Sequence, residues 1–298
     1  GLVGAAGLPP TLGALAAGKR VALANKESLV VGGALVARQA GGSIGVARDG
    51  TFAPADARLV PVDSEHSALW QLLERRPRAT VRRVILTASG GPFRGADRAR
   101  LARVTPKEAL SHPTWTMGSK ITVDSATLAN KGLELIEAHW LFELPYEAID
   151  VIVHPQSIVH GLVETVDEAL YAHLGPPDMR HPIRVALTWP ERAPVGRSMD
   201  VTRLSGLEFL APDLELFPML ELGRTAGRMG GTAPAVYNAA NEFLVDAFLN
   251  GRIDFLDIAR VTEQVLEEHD PLPADSLDVL QEADRAARQR ATALIVLN

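Results

Sequence analysis

The stretch from Lys120 to Phe142 constrains the fold and chemistry of this chain more than any other. It begins as an alternating, strand-like run, reaches a helix start signal at Ser125, and continues with helical periodicity to Phe142. Apolar residues cover most of the predicted helix. Its polar residues share one narrow stripe: Thr127, Asn130, Lys131, Glu134 and Glu137. A helix that is otherwise apolar is expected to be buried, so this stripe should face a cavity or a ligand.

An alternative interpretation of this helix stays open. An amphipathic surface helix would carry Lys131 and Glu134 as an ordinary ion pair three residues apart. The helix alone gives the two interpretations equal weight, and it assigns Glu137 no role beyond a structural or supporting one.

The composition restricts the classes of function. A chain of 298 residues can form two or three domains. A net charge of −6 without a basic tail argues against nucleic acid or an anionic membrane as partner. Because cysteine is absent, a metal would have to bind carboxylate or histidine. No apolar run approaches the roughly 18 residues of a membrane span, and no signal peptide is visible, so we expect a cytoplasmic protein.

Three polar clusters each follow a predicted short strand. Asn25 to Ser28 follows a strand over 19–24, Asp63 to Glu65 one over 58–62, and Ser89 to Gly91 one over 81–87. Ligands bind at the carboxyl ends of strands in open α/β sheets. Taken singly, the first two clusters are better explained as helix caps and the third as a turn.

A loop from His112 to Gly118 joins an imidazole, an aromatic side chain at Trp115 and a flexible glycine. Such a loop can close over a substrate as a lid. Alternatively, His112 is a surface or capping histidine. The other histidines of the central region, His154, His160, His173 and His181, lack metal-ligand spacing and are interpreted as structural.

The pattern of elements predicts a combination of α/β and α+β architecture. Residues 1–62 read as strand–helix units of an open α/β sheet, and 63–188 as a β-rich α+β part with further strands over 150–153 and 158–164. A proline-punctuated linker is predicted over 189–214, and a C-terminal α-helical bundle over 215–298, with its first helix near 214–230. Within the first part, 41–56 reads as an inserted hairpin or loop. The bundle shows no chemistry, although Asn238, Asn241 and Glu242 are unusually polar for one helix.

Considered together, the clusters suggest one site. Asp63, Glu65 and Glu134 supply three carboxylates for a hard divalent cation. Neutral donors and one cation suit a phosphate: Ser89, Ser125, Asn130 and Lys131. Such a set suits a phosphorylated, oxygen-rich substrate that chelates a metal.

The motifs that carry these residues occur in a recognisable order. They are Ala24-Asn25-Lys26-Glu27-Ser28, Pro61-Val62-Asp63-Ser64-Glu65-His66, Thr87-Ala88-Ser89-Gly90-Gly91-Pro92-Phe93, His112-Pro113-Thr114-Trp115-Thr116-Met117-Gly118, Val123-Asp124-Ser125-Ala126-Thr127, Asn130-Lys131-Gly132-Leu133-Glu134, His154-Pro155-Gln156-Ser157, Pro177-Asp178-Met179-Arg180 and Asn238-Ala239-Ala240-Asn241-Glu242. Over nearly all 298 residues the chain closely resembles the 1-deoxy-D-xylulose 5-phosphate reductoisomerase family.

The resemblance implies an NADPH-dependent enzyme of the methylerythritol phosphate route to isoprenoids, typically a homodimer. It implies Mg²⁺ or Mn²⁺, with Co²⁺ as a substitute, at Asp63, Glu65 and Glu134. The remaining roles it implies are phosphate binding by Ser89, Ser125, Asn130 and Lys131, substrate contact by Lys26, Ser64, His112 and Trp115, and cofactor contact by Asn25, Glu27, Gly118 and Met179.

The chain departs from the family pattern at its start, which is Gly1-Leu2-Val3-Gly4 without methionine. The family begins with a strand and a glycine-rich phosphate loop, so roughly a hundred residues with most dinucleotide contacts are expected to be missing upstream. By this resemblance, residues 1–62 would be the C-terminal part of a Rossmann-like NADPH-binding domain with an exposed sheet edge, and 63–188 the catalytic α+β domain. Two alternatives therefore stay open: a metal- and phosphate-binding fragment without reductase activity, and a nicotinamide-independent sugar-phosphate isomerase or aldolase.

Overall fold

The computed structural model describes residues 2–195 and 199–296; residues 1, 196–198 and 297–298 of the predicted domains lie outside the described part. The helices are α1 (Leu8–Ala16), α2 (Glu27–Ala40), α3 (Ser64–Leu73), α4 (Arg98–Leu101), α5 (Pro106–Ala109), α6 (Ser119–Thr127), α7 (Ala129–Phe142), α8 (Arg180–Thr188), α9 (Met219–Met229), α10 (Ala233–Leu249), α11 (Phe255–Glu267) and α12 (Leu277–Val296). The strands are β1 (Val21–Leu23), β2 (Leu59–Pro61), β3 (Val81–Ala88), β4 (Ile149–Val153), β5 (Val159–Thr165) and β6 (Leu170–Leu174).

The first layer is a small parallel unit. Strands β1 and β2 pair in parallel, with Val21 opposite Leu59, and α1 and α2 pack against each other. Parallel pairing requires a crossover connection, and α2 provides it. The segment predicted as an inserted hairpin or loop forms one antiparallel bridge between Val46 and Phe52, and Thr51 forms another with Pro77. Because the Phe52 side chain is fully buried, this segment is packed onto the core.

The second layer is a mixed four-stranded sheet in the order β4-β3-β5-β6. Strands β3 and β4 are parallel, whereas β3–β5 and β5–β6 are antiparallel. Helices α3 and α7 pack against it. The predicted strands at β4 and β5 are present, but no strand was expected at β6. Its sequence shows no alternation, because β6 is an edge strand whose residues are mostly exposed on both faces.

The segment that opens the sequence analysis differs from the prediction. Residues expected as a strand-like run form α6, and the expected helix from Ser125 is divided at Leu128, which adopts a left-handed conformation with φ 62°. The alternation of Ile121 and Val123 with polar residues was misleading, since Thr122 and Asp124 are buried as well. Their polar atoms have partners inside the protein, so α6 is enclosed on more than one side.

The C-terminal part is the expected helical bundle. Helix α10 lies at its centre, packs on α9, α11 and α12, and also contacts α2 and α6. The helix predicted over 214–230 begins only at Met219, because Pro218 occupies its N-cap position. The two helices α7 and α9 approach closely at Gly132 and Gly223; a Cβ atom at Gly223 would lie 2.5 Å from the Gly132 Cα atom. No helix in the described part is long and apolar enough to cross a membrane.

Candidate active site

A cavity of about 320 Å³ lies where β2, β3, α6 and α7 meet. Most of the residues selected from the sequence line it: Lys26, Asp63, Ser64, Glu65, Ser89, His112, Trp115, Ser125, Asn130, Lys131, Glu134 and Met179. Asn25, Glu27 and Gly118 do not. The predicted convergence of strand ends with the polar stripe of one helix is therefore present in the fold.

The carboxylates come together at one end of this cavity, although they are distant in sequence. Asp63 follows β2, Glu65 lies in the first turn of α3, and Glu134 lies on α7. One oxygen from each side chain falls within 4.8 Å of the other two. Asp63 is also the N-cap of α3, where it accepts hydrogen bonds from the backbone N–H groups of Glu65 and His66. The capping and clustering interpretations of Asp63 are both correct.

Two lysines are interleaved with these carboxylates. The Lys26 ammonium lies 2.6 Å from Asp63 and 2.8 Å from Glu134, and Lys131 lies 2.9 Å from Glu65 and also contacts Glu134. We call Lys26, Asp63, Glu65, Lys131 and Glu134 the carboxylate cluster. All five side chains are at most 14% exposed. Charges this well shielded from water require such pairing. The surface-helix interpretation of Lys131 and Glu134 is wrong.

The pKa values reflect this crowding of charge. Burial raises the pKa of Glu65 to about 7, Lys131 opposes the rise, and Glu134 and Asp63 add to it. Burial also acts to raise the pKa of Asp63, but Lys26 and His66 outweigh it and hold that pKa well below its usual range. For Lys26, burial acts to lower the pKa, and Asp63 and Glu134 raise it well above its ordinary value. The cluster therefore holds one more carboxylate than ammonium groups, and Glu65 is the carboxylate that most readily takes up a proton.

A second buried group lies behind the cluster. The His66 ring lies 2.9 Å from Asp63 and 3.3 Å from Glu137, and its other nitrogen lies 3.0 Å from the Glu134 carbonyl oxygen. Burial acts to lower the pKa of His66, but Glu137 and Asp63 outweigh it and raise the pKa to about 9. The sequence analysis assigned His66 no role and left Glu137 open. The available signal was spacing, since each lies three residues from a cluster carboxylate.

The neutral donors line another part of the cavity. Ser89 follows β3, and Gly91 has a positive φ of 65°; a Cβ atom at Gly91 would lie 2.8 Å from the Ser125 carbonyl oxygen. Only glycine therefore lets the Ser89 turn pack against α6, which carries Ser125. Asn130 lies at the rim of the carboxylate cluster, where its amide oxygen accepts a hydrogen bond from Lys26 and its nitrogen donates to Glu134.

His112 connects the predicted loop to this part of the cavity. Its Nδ1 accepts from the backbone N–H groups of Thr114, at 3.1 Å, and Trp115, at 2.8 Å. The remaining proton must be on Nε2, which lies 2.9 Å from the Ser89 hydroxyl and donates to it. Burial lowers the pKa of His112, which agrees with a neutral ring. The loop thus lies over the cavity, where the His112–Ser89 hydrogen bond and an edge contact between the Trp115 and His160 rings, with centroids 6.2 Å apart, hold it.

The residues expected to contact the cofactor are arranged differently. Asn25 donates to Glu27 at 2.9 Å and to the carbonyl oxygens of Leu2 and Gly4, so its amide ties α2 to the N-terminal turn. Gly118 is the N-cap of α6. Met179 is 36% exposed and lines the cavity. Of these four residues, only Met179 presents its side chain to the cavity.

Fold and site together define a class of protein. It is an α/β protein with three buried carboxylates at one centre, beside uncharged hydrogen-bond donors that suit an anion. Three family models match the chain: "1-deoxy-D-xylulose 5-phosphate reductoisomerase" over 1–33, its C-terminal domain over 59–142, and "DXP reductoisomerase C-terminal domain" over 174–290. The chain belongs to the 1-deoxy-D-xylulose 5-phosphate reductoisomerase family, as the resemblance predicted.

Relatives and solved structures agree with this assignment. The reductoisomerase of Xanthomonas euvesicatoria pv. vesicatoria is 56% identical over 290 residues, 97% of this chain and 70% of the relative. The reductoisomerase of Chlorobium chlorochromatii is 51% identical over 97% of this chain and 73% of the relative. The Zymomonas mobilis enzyme in complex with NADPH superposes with a TM-score of 0.87 at 46% identity, over 99% of this chain and 73% of that one. A reductoisomerase structure in complex with NADPH, fosmidomycin and magnesium superposes with a TM-score of 0.86 at 42% identity. The match covers 99% of this chain and 74% of that one.

Proposed function

We propose that this chain carries out the divalent-metal- and NADPH-dependent conversion of 1-deoxy-D-xylulose 5-phosphate to 2-C-methyl-D-erythritol 4-phosphate, a step of non-mevalonate isoprenoid biosynthesis. Membership of the family supports the reaction, and solved relatives hold NADPH and magnesium. The observation in this chain that carries the proposal is the carboxylate cluster beside the phosphate-binding set. The comparisons favour this function over a nicotinamide-independent isomerase or aldolase.

Asp63, Glu65 and Glu134 are the proposed ligands of Mg²⁺ or Mn²⁺, with Co²⁺ as a substitute. The donor set fits, since three carboxylate oxygens within 4.8 Å of one another suit a hard cation. The raised pKa of Glu65 also fits, because a bound cation would offset the burial and the neighbouring carboxylates that raise it. When bound, the metal supplies a Lewis acid for the carbonyl and hydroxyl oxygens of the substrate.

Ser89, Ser125, Asn130 and Lys131 are the proposed phosphate ligands. Lys131 supplies the only cation among them, and it now pairs with Glu65 and Glu134. A metal that takes over those two carboxylates would leave the Lys131 ammonium free to face the phosphate. Ser89 can accept the proton of His112 and donate its own hydroxyl proton to the phosphate at the same time. The site is therefore matched to an anion at this end.

Lys26, Ser64 and Glu65 are proposed to contact the oxygenated carbons of the substrate. The Lys26 ammonium can offset negative charge as it develops on a substrate oxygen. His112 and Trp115 would close over the substrate and exclude water, with His112 as a direct contact. Lys26, Asp63, Glu65, His112 and Glu134 are thus the proposed catalytic residues.

NADPH supplies the hydride when bound, and Asn25, Glu27, Gly118 and Met179 are the proposed contacts from this chain. Met179 fits an apolar contact at the cavity mouth, because it is both exposed and part of the lining. Asn25 and Glu27 fit as a wall held rigid by their mutual hydrogen bond. Gly118 fits because its Cβ position is open space.

The proposed domains are 1–62 as part of the NADPH-binding domain, 63–188 as the catalytic domain, 189–214 as a linker and 215–298 as the helical bundle. We also propose a cytoplasmic homodimer. Edge strand β6 supports a dimer, since Leu170 is 56% and Tyr171 42% exposed on an edge with no further strand among the described residues.

Oxidation of NADPH by this chain, with 1-deoxy-D-xylulose 5-phosphate and Mg²⁺ present, tests the function. We expect turnover that requires substrate, metal and NADPH together. Binding of a phosphonate substrate analogue without NADPH oxidation would instead support a metal- and phosphate-binding fragment. Substrate conversion that proceeds without NADPH would support an isomerase or aldolase.

A further inference from the structure

Glu137 is a fully buried carboxylate one turn beyond Glu134 on α7. Both of its side-chain oxygens are shielded from solvent and lack a hydrogen-bond partner among the described residues. An isolated buried carboxylate is costly unless a positive charge lies nearby. The neighbouring cation is His66, whose Nδ1 lies 3.3 Å from a Glu137 oxygen. The carboxylate therefore needs His66 for its own burial.

His66 must carry protons on both ring nitrogens. Its Nδ1 faces the Asp63 carboxylate at 2.9 Å and its Nε2 faces the Glu134 carbonyl at 3.0 Å, and each of these groups can only accept. The fully buried ring is therefore an imidazolium that contacts two of the three proposed metal ligands. Stacking against Phe142, with an interplanar angle of 15°, fixes the plane of the ring.

The two oxygens of Asp63 are consequently not equivalent. Oδ1 receives the N–H groups of Glu65 and His66 and the His66 ring proton, whereas Oδ2 contacts only Lys26, at 2.6 Å. His66 thus reserves Oδ2 for a cation on the cavity side. If Glu137 lost its charge, Asp63 would be the one charged side-chain carboxylate among the described residues that pairs with the imidazolium. The ring would then be free to move toward Asp63 and turn that carboxylate away from the cation.

We infer that Glu137 is a positioning residue, which acts through His66 to keep Asp63 oriented and charged for the divalent cation. This inference rests on the proposed function, because Asp63 matters in this way only as a metal ligand. Groups that hold metal ligands from behind commonly change metal affinity 10- to 100-fold when they are altered. Glu137 and His66 would therefore contribute more to metal affinity than to the stability of the fold.

The experiment measures Mn²⁺ binding to the whole chain by electron paramagnetic resonance, without substrate or NADPH. We expect one Mn²⁺ per chain, and about tenfold weaker binding in Glu137→Gln. Glu137→Asp, which keeps the charge on a shorter side chain, should bind more tightly than Glu137→Gln. In a His66→Asn background the effect of Glu137→Gln should shrink to less than about threefold, because the imidazolium that Glu137 holds is then absent.

Asp124→Asn is the matched control. Asp124 is as buried as Glu137 and lies on the neighbouring helix, but it pairs with Lys120 and Asn241. This variant should lower the melting temperature and leave the Mn²⁺ dissociation constant unchanged, so it separates lost stability from lost metal affinity.

Four results would overturn the inference. Unchanged Mn²⁺ affinity in Glu137→Gln and Glu137→Asp would do so while leaving the proposed metal site intact. Equal effects of Glu137→Gln with and without His66 would show that Glu137 does not act through the ring. A second bound Mn²⁺ that disappears in Glu137→Gln would make Asp63, His66 and Glu137 a metal site of their own. If the unaltered chain bound no Mn²⁺, the proposed metal site and this inference would both fail.

Discussion

The protein shields two groups of ionisable side chains from water, and it treats their charge in opposite ways. In the carboxylate cluster every group has an oppositely charged neighbour within hydrogen-bond distance. His160, His173 and His181, which we call the histidine cluster, form no ion pair with a carboxylate among the described residues, and burial lowers the pKa of each. Charges in the first group are compensated by pairing, whereas burial favours the neutral form of the second.

The neutral state of the histidine cluster follows from its contacts. Neighbouring ring centroids lie 6.2 and 5.5 Å apart. His173 Nδ1 and His181 Nε2 have no hydrogen-bond partner among the described residues. Burial, together with the nearby His160, His181 and Arg192, lowers the pKa of His173 to about 4. A proton on this ring would not be stabilised by an ion pair with a carboxylate.

The difference shows what pairing provides at a binding site. In the carboxylate cluster a divalent cation can take the place of a lysine ammonium, because each carboxylate is already paired with a positive charge. A cluster of neutral rings can only pack or donate single hydrogen bonds. The contrast agrees with the structural role expected for His160, His173 and His181 and supports the ion site proposed at the carboxylate cluster.

The strongest test of this comparison removes one charge from the carboxylate cluster. Glu134→Gln should reduce metal-dependent turnover about 10³-fold, because a proposed metal ligand is lost while shape is kept. Steady-state kinetics across Mg²⁺ concentrations measure the effect, and circular dichroism checks the fold. Glu268→Gln, at an exposed position on the bundle, is the control. Near-normal turnover in Glu134→Gln would refute the metal assignment.

A second test removes a cation from the same cluster. Lys26→Met leaves Asp63 and Glu134 facing each other without an ammonium between them, so the free energy of unfolding in EDTA should fall by about 3 kcal/mol. Mg²⁺ should restore part of the loss, since a divalent ion can replace the missing charge.

Urea unfolding with and without Mg²⁺ measures both effects. Lys107→Met, at an exposed lysine, should change stability by less than about 0.5 kcal/mol. Equal losses in the two variants would show that the buried charges of the cluster do not depend on Lys26.

The histidine cluster should respond to acid. A folded-state pKa of about 4 lies below the unfolded value of 6.5, so the unfolded chain binds more protons between these values. The stability that His173 contributes is complete above pH 6.5 and is lost as pH falls toward 4. Allowing for partial exposure, this loss should be about 1 to 2 kcal/mol.

Comparison with His173→Gln isolates this effect. Glu65 and Glu137 have raised pKa values, so their protonation stabilises the folded protein as the pH falls, opposite to the effect of His173. This contribution is the same in both proteins and cancels in the difference between them. We measure the free energy of unfolding in urea at pH 7 and pH 4.5. Between these values, the variant should lose less of it than the unaltered chain. A constant difference would mean that His173 is not kept neutral by the fold.

The smallest effect is expected for a pair outside both clusters. Arg290 and Glu268 form an ion pair on the bundle with both side chains more than 40% exposed. Arg290→Gln should lower the melting temperature less than any of the changes above, because water screens the charges. Thermal unfolding at low and high salt would measure it. A cost similar to that of Lys26→Met would imply that pairing matters more than burial.

Much of the fold could be predicted from local sequence. Helices α2, α10, α11 and α12 carry periodic apolar residues, and the glycine turn after Ser89 was visible as a turn. Strand β6 was missed because an edge strand exposed on both faces has no alternation to detect. The break at Leu128 was missed because no glycine or proline marks it.

The sequence by itself determined the chemical inventory of the site: three carboxylates, the donors of the phosphate set, and the motifs that identify the family. Only the tertiary structure decided how these charges are paired. Lys26 meets Asp63 and Glu134 across 37 and 108 positions, and Lys131 meets Glu65 from another helix. The contact between His66 and Glu137 likewise joins residues that are distant in sequence. Helical spacing reports only neighbours on one element, whereas a buried charge is stabilised by whatever the fold brings next to it.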